Sequence, residues 1–371
     1  MNFFTLRRYF LICLAIGSIL PGLYAQDTAF SRRPAGMYSG KNIKLSGLFY
    51  LAGQVRSQDT ISDFAFQVRR AYLTVEAGLT KNLSVRYTQD ITIDAEGRDA
   101  GNVELRIKYL YAQYKLPAFW FFSDNKVKFG IIHRPWIDFE EHINVYRVQG
   151  TMFMERSHLF NSSGFGLSFQ GYFGRVLQGE YAKKVHPHDA GKYGSFAFGL
   201  YNGGGYHQFE KNLNKNFEVR VTLRPFPEKL PGLQFSYNGL FGRGNIPQSP
   251  VFRLNAGFVS YQGHYFVLTA QYEKGMGNSY GTFVDSAFRA LPHRGYSFYG
   301  EFKIPRTRIA LYGRYDHFIL TASRAETNER QIYGISWRFF KGNKLVFSCQ
   351  NGKSFGQPRI RVYDMALDIS F

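Results

Sequence analysis

The sequence predicts an all-β fold, a transmembrane antiparallel β-barrel of about sixteen strands with one long loop folded into its lumen. Three observations predict it. Segments of about ten residues recur along the chain with apolar and polar residues alternating, which is the period of a half-buried strand. Beyond the N-terminal leader no apolar run approaches the roughly 18 residues a membrane-crossing helix needs. Aromatic residues make up 18% of the chain (Phe 37, Tyr 26, Trp 3), more than a soluble sandwich would expose and in keeping with the aromatic girdles of a barrel in lipid.

Residues 1–25 read as a cleaved secretory signal peptide. Arg7 and Arg8 precede the apolar run from Tyr9 to Leu20, and Leu23-Tyr24-Ala25 before Gln26 sets the cut after Ala25. The run is too short for a membrane anchor, and Cys13 inside it lacks the small residues of a lipoprotein cleavage box. Cys349 is then the one cysteine left, so the exported protein has no internal disulfide. Residues 26–41 form a short periplasmic lead-in, and 42–371, with no break in composition, form one barrel domain in the outer membrane of a Gram-negative cell.

The first four strands show the alternation best. From Ile43 to Arg56, Leu45, Gly47, Phe49, Leu51 and Val55 share the lipid face, and Lys44, Ser46, Tyr50, Gln54 and Arg56 the lumen. Phe64 to Leu79 turns Ala71, Leu73, Val75 and Ala77 outward and Arg70, Tyr72, Thr74 and Glu76 inward. Leu83 to Ile93 sends Ser84, Arg86, Thr88, Asp90 and Thr92 into the lumen. Val103 to Leu116 sends in Glu104, Arg106 and Lys108, with Val103, Leu105, Ile107, Tyr109 and Tyr111 outward. Twelve further strands are Lys126–Arg134, Gly164–Phe173, Tyr193–Tyr201, Asn216–Pro225, Leu233–Phe241, Val251–Tyr261, His264–Lys274, Gly295–Ile304, Thr307–Phe318, Arg330–Phe340, Lys344–Gln350 and Arg359–Phe371. Short connections at 80–82, 262–263, 305–306 and 341–343 all fall on the periplasmic side, where the last strand also ends. Longer ones near 94–101, 135–163, 202–215, 275–294 and 319–329 fall outside, the asymmetry of bacterial outer-membrane barrels. Residues 174–192 are too long for a periplasmic turn; two hidden strands there would raise the count to eighteen. The last strand keeps apolar residues at every second position through Ile369 to Phe371, a terminal aromatic that resembles the insertion signal read by the outer-membrane assembly machinery.

Between Arg134 and Ser163 the alternation stops. So long a loop is functional or disordered. This one is rich in Trp, Phe, Tyr, Met and Ile, which suits packing against the barrel's inner wall and narrowing it. Sixteen strands enclose an aqueous channel, whereas eight are filled by their own side chains.

At this point the chain resembles the phosphate-selective porin family, porins O and P. The resemblance rests on Phe66-Gln67-Val68-Arg69-Arg70-Ala71-Tyr72-Leu73, Leu110-Tyr111-Ala112-Gln113-Tyr114, Gly130-Ile131-Ile132-His133-Arg134-Pro135, Met154-Glu155-Arg156-Ser157 and Gly199-Leu200-Tyr201-Asn202-Gly203. It implies a homotrimer of sixteen-strand barrels, a third loop folded inward, and passive uptake of phosphate or polyphosphate through basic lumen residues.

Charge agrees with anions as solutes. The chain has 46 basic and 27 acidic residues, net +19, of which the leader's Arg7 and Arg8 supply two. Export argues against nucleic acid as the partner and leaves small anions, or lipopolysaccharide phosphates at basic loops. Within the long loop Arg134, Arg147 and Arg156 face Asp138, Glu140, Glu141 and Glu155, so the constriction is not itself basic. Selectivity then rests on the wall, where Arg56, Arg70, Arg86, Arg106, Lys108, Lys126, Lys128, Arg134, Arg220, Arg224, Arg253, Arg308, Arg314 and Arg338 take the inward parity. Fixed charges lining a pore select ions by sign. Taken singly, each of these is a solvated residue paired with a carboxylate such as Glu104, Asp90 or Asp316; their excess as a set is what argues for anions.

No enzyme signature survives. Ser157-His158 lie next to each other with no triad spacing, and Gly203-Gly204-Gly205 opens no phosphate cradle. His186-Pro187-His188-Asp189 reads as a solvated polar turn without the further ligand a metal site needs. No cofactor is expected. The alternatives to an anion channel are a less selective general porin and a surface-binding or structural barrel, for which Tyr201 to Tyr206, Phe283 and Phe288 are the aromatic loop residues.

Overall fold

Alternating segments become strands when each finds a neighbour for its backbone donors and acceptors, and here every one does. In the computed structural model these are β1 (Ile43–Gln58), β2 (Ile61–Gly78), β3 (Leu83–Ile93), β4 (Val103–Lys115), β5 (Phe122–His133), β6 (Ser163–Phe173), β7 (Gly194–Asn202) and β8 (Lys215–Leu223). They continue as β9 (Leu233–Arg243), β10 (Val251–Gln262), β11 (Phe266–Met276), β12 (Pro292–Lys303), β13 (Ile309–Leu320), β14 (Glu326–Phe340), β15 (Asn343–Lys353) and β16 (Ile360–Ser370). Each pairs antiparallel with the next and β16 returns to β1, closing a barrel of sixteen strands. The structure describes residues 42–371 except 59–60, 94–100, 178, 180, 182–184, 186–187, 207, 322–325 and 341. The leader and lead-in lie outside the described residues. No described helix is long and apolar enough to cross a membrane.

The seam uses the last residue. Gly47 N–H donates to the Phe371 carbonyl (3.0 Å) and Phe371 N–H to the Gly47 carbonyl (3.1 Å). A Cβ on Gly47 would lie 2.3 Å from the Phe371 ring, so glycine makes room for it. The start of β1 and the end of β16 share one end of the barrel, the near end. The connections after β2, β10, β12 and β14 reach that end, as expected, and the 134–162 loop is the third at the far end. Among the described residues of 174–193 there is an isolated Val176–Gly191 bridge and no added strand, so the count is sixteen and not eighteen.

Two β-bulges, each an extra residue on one strand, change the predicted faces. At Arg69 the register steps from Tyr50 opposite Arg70 to Leu51 opposite Val68. Arg69 and Arg70 therefore both enter the lumen, although parity had pointed to Arg70 alone. At Lys108 the register steps from Thr88 opposite Tyr109 to Gln89 opposite Ile107. Tyr109 and Tyr111, expected outside, consequently lie inside, where Tyr109 stacks on His133 at 3.7 Å between ring centroids. Arg253 is corrected the other way. On β10 the buried residues are Phe252, Leu254, Ala256, Phe258, Ser260 and Gln262, which leaves Arg253 on the outward face. Arg308 sits exposed in a near-end turn, its guanidinium donating to the Phe339 carbonyl.

The lumen wall is of two kinds. On β9–β16 and β1 many inward residues are apolar, among them Leu240, Phe252, Leu254, Phe258, Phe318, Leu320, Ile332 and Val346. On β2–β8 the inward residues include Arg70, Glu76, Arg86, Asp90, Arg106, Lys108, Lys128 and Arg220. Position along the circumference thus decides where a loop with apolar side chains can settle.

Candidate pore and its third loop

The 134–162 loop settles on the apolar wall. Pro135, which presets the backbone for a helical first turn, opens α1 (Pro135–Ile143). A single 3-10 turn at Arg147–Gln149 and the short α2 (Phe153–Arg156) follow. Trp136, Ile137, Phe139, Ile143, Tyr146, Val148, Met152, Phe153, Met154, Leu159 and Phe160 join one buried cluster with that wall. Burying one such side chain contributes about 1.5–3 kcal/mol, so this face holds the loop down.

Side chains of the wall, and Asn278 just beyond β11, then pin its backbone. Arg69 donates to the Val148 carbonyl (2.9 Å), Arg314 to Thr151 (3.1 Å), Lys344 to Val145 (2.8 Å) and Asn278 to His158 (3.0 Å). Tyr146 in turn donates its hydroxyl to Glu301 (2.9 Å). At the loop's base Arg134 N–H donates to the Ser162 carbonyl (2.9 Å), and Arg134 Nε lies 2.8 Å from Glu218 Oε2. Part of the basic complement is therefore fastening and not lining.

Between the loop and the charged wall lie two cavities. The far-end one has a volume of about 1090 Å³ and is lined by Arg69, Arg70, Arg106, Arg147, Arg156 and Arg330, with Glu155 and Asp364 as its carboxylates. The near-end one, about 370 Å³, is lined by Arg86, Lys126, Lys128 and Arg220, by His133, His142 and His188, and by Glu76, Asp124, Asp138 and Asp189. It shares Glu76, Arg86, Tyr111 and Gln113 with a third cavity at the near-end mouth. Between the two larger cavities stands Lys108. Its Nζ donates to Ser162 Oγ (2.5 Å) and sits 4.4 Å from the ring of Tyr206, which lines the far cavity, and 5.8 Å from that of Tyr109, stacked on the near cavity's His133.

The predicted site residues thus divide. Arg70, Arg106, Arg147 and Arg156 line the far cavity, and Arg86, Lys126, Lys128 and Arg220 the near one. Lys108 lies between them. Arg134 lines neither: it is 3% exposed, under the rings of Tyr201 (4.3 Å) and Phe160 (5.1 Å). Arg69 and Arg330 are liners that sequence reasoning did not name as such. The Arg69-Arg70 pair in an otherwise alternating strand was the available signal for the first. Many of the cations have partners. Arg70 meets Asp90 at 3.0 Å, Arg106 meets Glu104 at 3.5 Å, Arg314 meets Asp316 at 2.8 Å, and Arg147 meets Glu141 at 2.6 Å and Glu155 at 3.3 Å. The far cavity still holds six arginines against two carboxylates.

The 174–193 connection reaches the loop from the near end. Arg224, 1% exposed, donates to the Tyr181 hydroxyl (2.5 Å), the Asp189 carbonyl (3.1 Å) and the Gly191 carbonyl. Asp189 Oδ2 lies 3.2 Å from His142 Nδ1, and the His142 and His188 rings stack at 4.1 Å. Of the HPHD stretch, His186 and Pro187 lie outside the described residues, and the other two engage α1 where a solvated turn was expected. Burial alone would lower the His142 pKa, but the hydrogen bond to Asp189 and the charge of Asp138 outweigh it and raise it to about 9. A raised histidine pKa stabilises the folded state fully below the unfolded value near 6.5, and the stabilisation is lost as pH rises through the folded value. Protease cleavage within 174–193 is therefore expected to quicken between pH 8 and pH 10 as this tether weakens, and H142N should be cut quickly at every pH in that window.

No three His, Cys, Asp or Glu side chains among the described residues are grouped to hold a metal. Ser157 is 3% exposed and His158 follows at φ 58°, an arrangement that turns the chain at the end of α2.

The closed sixteen-stranded antiparallel barrel is a fold shared with solved outer-membrane proteins, porins among them. The OmpF of Salmonella typhi, in complex with daunomycin, matches with a TM-score of 0.59 at 10% identity over 88% of this chain and 98% of that one. An anion-selective porin from Comamonas acidovorans matches with a TM-score of 0.58 at 9% identity, covering 89% and 99%. The outer-membrane channel DcaP of Acinetobacter baumannii matches with a TM-score of 0.56 at 12% identity, covering 90% and 99%. Identities this low establish the shared fold. No protein-family model matches the chain, and no curated protein matches it.

Proposed function

We propose that the protein is an outer-membrane porin, a passive channel for small anions, with phosphate or polyphosphate as the favoured solutes. The observation that carries this is the far cavity, where six arginines gather against two carboxylates on the open side of a pinned loop. The basic run continues past Lys108 to Arg86, Lys126, Lys128 and Arg220 in the near cavity. Fixed cations along a water-filled path favour anions without any chemistry. In this reading the leader is cleaved after Ala25, the near end faces the periplasm, and Phe371 engages the assembly machinery. The barrel works as a homotrimer surrounded by outer-membrane lipid and lipopolysaccharide.

A less selective general porin is the second reading. The pairing of Arg70, Arg106 and Arg147 with carboxylates favours it. The zero-current potential of the purified protein in a planar bilayer under a potassium chloride gradient separates the two. The first reading expects the sign of anion preference and a fall in chloride current when phosphate is added. Cation preference, or no conductance, would remove the proposed transport function.

A further inference from the structure

Arg243, Arg253, Lys274 and Arg294 lie on four successive strands, β9 to β12, all with exposed side chains on the outward face near the far end. The register makes them contiguous. Lys274 stands directly across from Arg294. Arg253 stands two residues along β10 from Asn255, the partner of Lys274, and Arg243 two residues along β9 from Phe241, the partner of Arg253. Direct partners on one sheet face lie about 5 Å apart and diagonal ones about 7–8 Å. The four thus form a continuous basic band.

Among the described residues nothing neutralises it. The outward positions of these four strands carry no Asp or Glu, since Glu273 and Glu301 point inward and are buried. Among the described residues Arg243 donates to the Ser249 carbonyl, and none of the four forms an ion pair with a carboxylate. Like charges directly opposite each other destabilise a sheet. The Lys274–Arg294 pair is therefore costly unless an anion lies over it.

Height along the strand identifies the anion. Two residues below, about 7 Å along the strand, Tyr272 pairs with Tyr296, and Tyr237 donates its hydroxyl to Asn255 (2.7 Å). Below these the outward face is Phe235, Val259, Leu268 and Phe298, all exposed and apolar. Tyrosines set between an apolar band and polar surface mark a membrane interface. The band of cations then stands at headgroup height.

We infer that Arg243, Arg253, Lys274 and Arg294 bind the phosphorylated headgroup of a glycolipid in the membrane's outer leaflet. This rests on the outer-membrane reading above. It is a surface separate from the pore, facing away from both cavities.

The test is native mass spectrometry of the full-length protein released from detergent after incubation with diphosphorylated lipid A, its monophosphorylated form, or phosphatidylethanolamine. The wild type is expected to retain lipid A with two phosphates best and phosphatidylethanolamine least. The triple variant R253Q/K274Q/R294Q should lose at least tenfold in apparent affinity for lipid A while its ion selectivity in bilayers stays unchanged. Should the triple variant fold poorly, K274Q and R294Q singly are expected to lose two- to threefold each. Unchanged lipid A retention in these variants would overturn the inference, as would displacement of the lipid by millimolar inorganic phosphate, which would mark an ordinary anion site. Failure of the porin reading is a separate result, read from conductance of the wild type in the same preparation.

Discussion

Replacing Arg134 by alanine is expected to lower the stability of the barrel by about 3–5 kcal/mol, the cost of leaving a buried charge without its partner. Glu218 is fully buried and has Arg134 Nε at 2.8 Å and the Trp136 N–H at 3.0 Å. Without the guanidinium the buried carboxylate keeps the Trp136 N–H as donor but loses its ion-pair partner. The loop's entry should then lose its anchor, although the apolar face of α1 remains. The measurements are the urea midpoint of the refolded protein and the rate at which protease cuts within 134–162. The double variant R134M/E218Q should recover most of the loss, because it removes the stranded charge along with its partner. An alanine variant as stable and as protease-resistant as the wild type would mean the pair does not hold the loop.

The second large effect concerns selectivity. Reversing Arg86, Lys126 and Lys128 together to glutamate is expected to turn the near cavity, and with it the protein, toward cations. A unit charge acts on an ion at about 4 Å in bulk water with about 1 kcal/mol. Three reversed charges therefore exceed the 1.4 kcal/mol that makes a tenfold difference in an equilibrium. The zero-current potential should change sign under the same salt gradient. If it does not, the far-cavity arginines set selectivity by themselves, and reversing Arg70, Arg106 and Arg330 becomes the informative experiment.

The strands were legible in the sequence because lipid on one side and water on the other impose the alternation directly. The inward loop was legible as well, since a stretch with Trp136, Phe139, Phe153 and Phe160 but no alternation needs an apolar surface to cover. That surface explains why Arg253 was misread. Where the loop covers the wall, Phe252, Leu254 and Phe258 are as apolar as lipid-facing residues, so alternation no longer tells inside from outside. The bulges at Arg69 and Lys108 escaped for another reason. Each shifts parity by one residue and can be seen only in the pairing with the neighbouring strand. Arg134 looked like a liner because its charge is visible in sequence, whereas its partner Glu218 is 84 residues away and the rings above it belong to other elements. The 174–193 connection gave no periodic signal at all, and its contact with His142 depends on the loop having already turned inward.

Because the loop covers only one side of the lumen, what remains open is an off-centre slot with unlike edges. Arg86, Lys128 and Arg220 stand on the strand side of the near cavity and Asp138 on the loop side. A molecule in that slot feels a field running across its direction of travel. On the proposed porin reading, net charge then governs whether it enters, while its dipole moment governs how it turns: polar solutes are aligned broadside to the path, and those whose long axis lies perpendicular to their dipole pass end-on with the least rearrangement.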